Sequence, residues 1–127
     1  MILLYIALGG ALGAVARYGV GGWVQARAGF GFPWGTLAVN VAGALLIGFA
    51  MRYLAAVRLS PEVRALIIIG GLGAFTTFST FSYETVALLE DGEWLRAGMY
   101  ATASLVLGLL AVYAGSAAAG WVLQVRG

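Results

Sequence analysis

The sequence predicts an all-α integral membrane protein of four transmembrane helices, the third of them broken near its middle. Three observations carry this. Of 127 residues 62% are apolar and only 9% charged, against roughly 25% charged in a soluble domain, so the chain has too few polar groups to cover a water-facing surface. Charge-free stretches lie at 1–16, 28–51, 65–83 and 97–125, and a bilayer is crossed by ~20 mostly apolar residues. Finally, the third stretch carries glycines at 70, 71 and 73, then five hydroxyl side chains within seven residues: Thr76, Thr77, Ser79, Thr80 and Ser82. The same composition excludes intrinsic disorder.

The predicted spans are about 2–25, 34–55, 63–89 and 95–124, a single four-helix domain over 1–127. The opening run, through Arg17 and Tyr18, has no basic n-region, and its apolar stretch precedes an arginine rather than a cleavage site. It therefore reads as a retained helix and not as a signal peptide. Gly9 and Gly13 within it form a small-xxx-small pair of the kind that lets membrane helices approach closely. Gly29, Gly31 and Pro33 mark the first turn. The second span holds Asn40 and a further small pair, Ala44 and Gly48. Ser60-Pro61-Glu62 is a helix start, with Ser as N-cap and Pro in the first helical position. Asp91-Gly92 marks the last turn. In the fourth span Tyr100 and Ser104 are four residues apart, so both hydroxyls face one way, and Gly108 continues that face without a side chain.

With neither Cys nor His, the chain lacks thiol and imidazole catalysis, disulfides and the common zinc sites. Its net charge of +2, from seven arginines and five acids, is too small to suggest a nucleic-acid partner. Orientation follows the arginine bias of short loops. One side holds Arg52, Arg58, Arg64 and Arg126, the other Arg27 and Arg96. So weak a bias fits either a single orientation with the termini inside or insertion both ways with antiparallel pairing. Four helices alone cannot easily enclose a polar path and still present apolar sides to lipid, so an oligomer is expected.

Polar groups inside a membrane are costly, which makes each a functional candidate. Glycines 70, 71 and 73 each weaken a helix by about 1 kcal/mol relative to Ala, and unwound backbone at that depth survives only where it is buried or lines a cavity. Freed carbonyls there can coordinate a hard cation. Phe75, Phe78 and Phe81 recur every third residue; such a stripe serves packing or lipid contact, or, interleaved with hydroxyls, offers positive ring edges to an anion. Asn40 suits either a helix-joining hydrogen bond or donation to an ion. Arg17 either snorkels to the interface or concentrates anions at a pore mouth. Glu84 reads as a helix-end or interface residue.

Three strings carry a family likeness: Gly9-Gly-Ala-Leu-Gly-Ala-Val-Ala-Arg17-Tyr18, Gly35-Thr-Leu-Ala-Val-Asn40 and Gly73-Ala-Phe-Thr-Thr-Phe-Ser-Thr-Phe-Ser82. In this order and spacing the chain resembles the Fluc (CrcB) fluoride channels across all four spans. The resemblance implies a non-enzymatic, passive channel through which cytoplasmic fluoride leaves a bacterial or archaeal cell, in the plasma (inner) membrane. It implies an antiparallel, dual-topology homodimer with two fluoride pathways and a structural sodium ion on its two-fold axis. By motif position the sodium would be held by the carbonyls of Gly73 and Thr76, and the pathway lined by Asn40, Phe78, Phe81, Thr80, Tyr100 and Ser104, with Arg17 near the vestibule. Ala74 stands where many relatives have a second glycine, and Gly108 where some carry a hydroxyl. The alternative reading, a proton-coupled cation exporter of the small multidrug-resistance type, needs an acid in the first membrane helix, and residues 1–27 contain neither Asp nor Glu.

Overall fold

The four apolar runs become four helices in the computed structural model, which describes residues 1–127: α1 (Ile2–Ala28), α2 (Trp34–Ala56), α3 (Pro61–Glu90) and α4 (Trp94–Arg126). Each is long and apolar enough to cross a membrane, and the chain has no strand. The helices extend a few residues past the predicted bounds, because Arg27, Arg64, Glu90 and Arg126 sit in terminal turns that need not lie in hydrocarbon. The expected turn signals stop and start them. Gly29 and Gly92 are the only residues with positive φ, at 95° and 76°, a conformation glycine adopts without the Cβ penalty. Ser60 Oγ accepts from the Val63 amide at 3.3 Å, capping α3 behind Pro61.

α2 lies along α4, and α1 lies along the first half of α3. Glycine sets both seams. A Cβ at Gly9 or Gly13 would collide with the Leu66 or Gly71 carbonyl of α3, and one at Gly70 with the Ile6 carbonyl of α1. Gly48 and Gly115 bring α2 and α4 together in the same way, each against a carbonyl of the other helix. Only 16 of 127 residues are buried, mostly Gly and Ala, so this is a thin bundle in which Leu37 and Val39 are the only buried leucine and valine. Backbone contact between small residues, rather than a leucine core, holds such a bundle.

α3 is irregular in two places. Ala65–Leu72 winds as a π-helix, with the Gly73 amide bonded back to the Ile68 carbonyl, a geometry that is rare overall but frequent at functional sites. The helix then breaks at Thr76–Thr77 and restarts as Phe78–Glu90. The glycines do not themselves form the break: Gly73 keeps helical angles, and Gly70 belongs with Gly9 and Gly13 in the close-packing seam. The widened turn and the α1 contact use them instead.

Candidate ion pathway

At the break Thr76 (φ −91°, ψ 155°) and Thr77 (φ −148°, ψ 114°) are extended. Carbonyls at the end of the first half of α3 and amides at the start of the second lose their helical partners, and buried backbone groups must find others. Three side chains supply them. Arg17 Nε donates to the Ala74 carbonyl at 3.1 Å. Asn40 bonds Thr77 twice: its Nδ2 donates to the Thr77 carbonyl at 3.0 Å, and its Oδ1 accepts from the Thr77 amide at 2.8 Å. Thr77 Oγ1 accepts from the Thr80 amide at 3.2 Å, acting as N-cap of the second half.

The Arg17 side chain reaches from α1 to the end of the first half of the broken helix. Asn40 joins α2 to α3 and still keeps one of its two amide hydrogens uncommitted, since only one is used on Thr77. The Gly73 carbonyl is denied the two nearest amides, because that of Thr76 bonds the Leu72 carbonyl and that of Thr77 bonds Asn40. Gly73 is exposed on the surface of the single chain and Thr76 partly so. Two freed carbonyls suit a hard cation by ligand type but fall far short of the six to eight or so oxygens that such ions as Ca²⁺ take.

A groove of about 390 Å³ opens beside the break, lined among others by Asn40, Thr76, Thr77, Phe78, Phe81 and Ser104. Residues from α2, α3 and α4 that are distant in sequence thus meet at one surface. Phe78 and Phe81 are neighbours, their centroids 5.8 Å apart, and Phe81 is 5.1 Å from the Tyr100 ring. Tyr100 is fully buried. Its hydroxyl and that of Ser104 are buried without a hydrogen-bond partner, a costly state unless something else uses them. Phe78 is 79% exposed in the single chain, so the groove lacks a wall on that side.

Thr80 lies elsewhere. It lines a separate cavity of about 340 Å³ with Arg17, Gln25, Thr36 and Thr77, and Thr77 Oγ1 donates to its hydroxyl at 3.0 Å. Thr77 borders both spaces. Phe75 is on the far side of the break, against Gly43. Gly108 has open space around it and lines neither the groove nor that cavity. Ser82 of the run and Thr85 beyond it bond their own helix, Ser82 to the Phe78 carbonyl and Thr85 to that of Phe81, as Ser and Thr often do in helices.

Two features escaped the sequence reading. Glu84 is not a helix-end residue, because α3 continues to Glu90; it accepts a 2.5 Å hydrogen bond from Thr36 Oγ1 of α2. Gln25 organises the α1–α2 loop, donating to the Gly29 and Phe32 carbonyls and accepting from the Gly35 amide. An acid and an amide inside apolar spans were visible as costly groups, but their partners lie ten to forty-eight residues away for Gly35 and Thr36.

A family model described as CrcB-like protein, Camphor Resistance (CrcB), matches residues 4–116. The fluoride-specific ion channel FluC of Thermus thermophilus is 54% identical over 112 residues, 88% of each chain. That of Geobacter sulfurreducens is 56% identical over 120 residues, 92% of this chain and 95% of the relative. That of Opitutus terrae is 47% identical over 134 residues, 99% of this chain and 98% of the relative.

Proposed function

The chain belongs to the CrcB-like family, and from that premise we propose that it is a fluoride-selective ion channel that lets cytoplasmic fluoride leave the cell passively and so limits fluoride toxicity. The observation that carries this reading is the groove beside the broken helix, where Asn40, Phe78, Phe81 and Ser104 share one surface with the Tyr100 ring behind them. Its donors are neutral, and the Phe78 and Phe81 rings line it beside aliphatic side chains. A small anion gains most from compact N–H and O–H donors that replace its water, and from the positive edges of phenyl rings. The spare Asn40 amide hydrogen and the unpartnered Ser104 hydroxyl supply such donors at the groove, while the Tyr100 hydroxyl, which does not line it, lies beside Thr36 and Glu84.

The physiological logic is diffusive. Fluoride's neutral acid crosses lipid, dissociates in the less acidic cytoplasm and is trapped as the anion. A channel returns it down its electrochemical gradient, and a membrane potential negative inside drives it out at about 2.3 kcal/mol per charge per 100 mV. No proton carrier is required, and α1 carries no acid to serve as one. Like the relatives named as ion channels, the chain then acts without an enzymatic step.

The working unit of this proposal is an antiparallel homodimer, inserted in both orientations in a bacterial plasma membrane. The missing wall at Phe78 and the weak arginine bias support it, since each gives a second copy something to complete. Gly73 and Thr76 carbonyls from both copies would hold a sodium ion between them. Such an ion would join the copies and place fixed positive charge near the pathway.

Efflux from liposomes containing the purified protein, followed with fluoride and chloride electrodes, tests the function. Fluoride-specific, proton-independent efflux is expected, whereas proton-coupled cation movement would support the exporter alternative. Topology reporters on the termini should appear on both sides of the membrane, and a single orientation overturns dual insertion.

A further inference from the structure

We infer that Phe32, in the loop between α1 and α2, is a further positioning residue of the pathway: its ring holds Tyr100 against Phe81. The inference rests on the proposed channel function. Tyr100 is fully buried and its hydroxyl makes no well-formed hydrogen bond, lying instead beside Thr36 and Glu84, so the rings packed around it hold the side chain in place. Two rings pack on it. Phe81 stands 5.1 Å away at 55°, and Phe32 stands 5.5 Å away at 81°, an edge-to-face arrangement of the geometry aromatic pairs prefer.

The two rings packed on Tyr100 each line a space. Phe81 lines the groove beside the break, while Phe32 lines a second cavity of about 230 Å³ with Gln25, Pro33, Glu84 and Asp91. The rings thus run as a row, Phe78–Phe81–Tyr100–Phe32, from the groove to the loop end of the bundle.

The loop is built to hold that ring still. Gln25 Nε2 donates to the Phe32 carbonyl at 2.9 Å, and Gln25 Oε1 accepts from the Gly35 amide at 3.0 Å. From the other side, Arg96 Nη1 of α4 donates to the Gly31 carbonyl at 3.1 Å. The Trp34 ring packs on Phe32 at 4.6 Å. A loop needed only to connect two helices would not require anchors from both α1 and α4.

The test is a double-mutant cycle on fluoride efflux from liposomes, with Phe32→Ala, Phe32→Leu, Phe32→Tyr and Tyr100→Ala. Phe32→Ala and Phe32→Leu are expected to slow efflux about tenfold, a change of about 1.4 kcal/mol in barrier, while Phe32→Tyr keeps the ring and stays near wild type. In the Tyr100→Ala background Phe32→Ala should cost less than about twofold, because residues that act through one another are not additive. Equal losses in both backgrounds, wild-type efflux in Phe32→Ala and Phe32→Leu, or a Phe32→Tyr as slow as Phe32→Ala overturns the inference. Where Phe32→Ala fails to fold, Phe32→Leu takes its place in the cycle. A wild-type protein that carries no fluoride overturns the functional reading, and this inference with it.

Discussion

Asn40 of α2 and Thr77 of α3 exchange two hydrogen bonds, side-chain amide to backbone, at 3.0 and 2.8 Å. The pairing replaces both bonds that Thr77 would make in an unbroken helix, and it ties α2 to the point where α3 opens. Leaving a buried donor or acceptor unmade costs about 1–3 kcal/mol, so one amide stabilises the break on both counts. Asn40→Ala is expected to lower fluoride efflux by more than about tenfold and to lower the thermal midpoint in detergent. Wild-type efflux in this variant would remove Asn40 from the pathway.

Phe81 links the exposed Phe78 to the buried Tyr100. Phe81→Ile keeps an apolar side chain but removes the ring edge from both contacts. Efflux should fall at least about tenfold, with aromatic-pair losses of about 0.5–1.5 kcal/mol each, while size-exclusion behaviour is unchanged. Aggregation of this variant would mean that the ring serves packing instead.

The glycine seams predict a contrast within one helix. Gly9→Ala and Gly13→Ala place a Cβ against backbone carbonyls of α3, whereas Gly10→Ala meets open space. Overpacking against backbone that cannot retreat costs typically about 1–3 kcal/mol. Thermal unfolding should therefore show Gly9→Ala and Gly13→Ala destabilised and Gly10→Ala at or slightly above wild type.

Arg17 holds the Ala74 carbonyl at the end of the first half of α3. A hydrogen bond to a charged donor contributes about 1.5–3 kcal/mol, so Arg17→Ala should lower stability by that order and slow efflux. Arg17→Lys should recover part of the stability, since it restores a donor without the guanidinium's planar geometry. Equal stability in all three proteins would show that the contact contributes nothing.

Much of the molecule was legible from residue order. Hydropathy marks the four spans because lipid offers backbone groups no partner, and each span must bond itself. Turn residues mark their ends: Gly29, Ser60-Pro61 and Gly92 all act where a local conformation demands them. The small pair Gly9 and Gly13 and the hydroxyl–phenylalanine run pointed to a seam and a break. All of these signals are local, so sequence distance does not blur them.

Tertiary structure decided the partners. The break lies at Thr76–Thr77 rather than at the glycines, because Asn40 and Arg17, from two other helices, satisfy the backbone there. Thr80 went to the Arg17 cavity and Phe78 and Phe81 to the groove, since the restart of α3 as a new helix sets which face each residue presents. Glu84 found Thr36, and Phe32 found Tyr100, across separations that no periodicity encodes. The sequence by itself determined that this chain lies in a membrane and opens one helix inside it. Which groups meet at that opening depended on how four helices pack, because a hydrogen bond or a ring contact is set by position in space, and only packing brings residues this far apart in the chain within reach of one another.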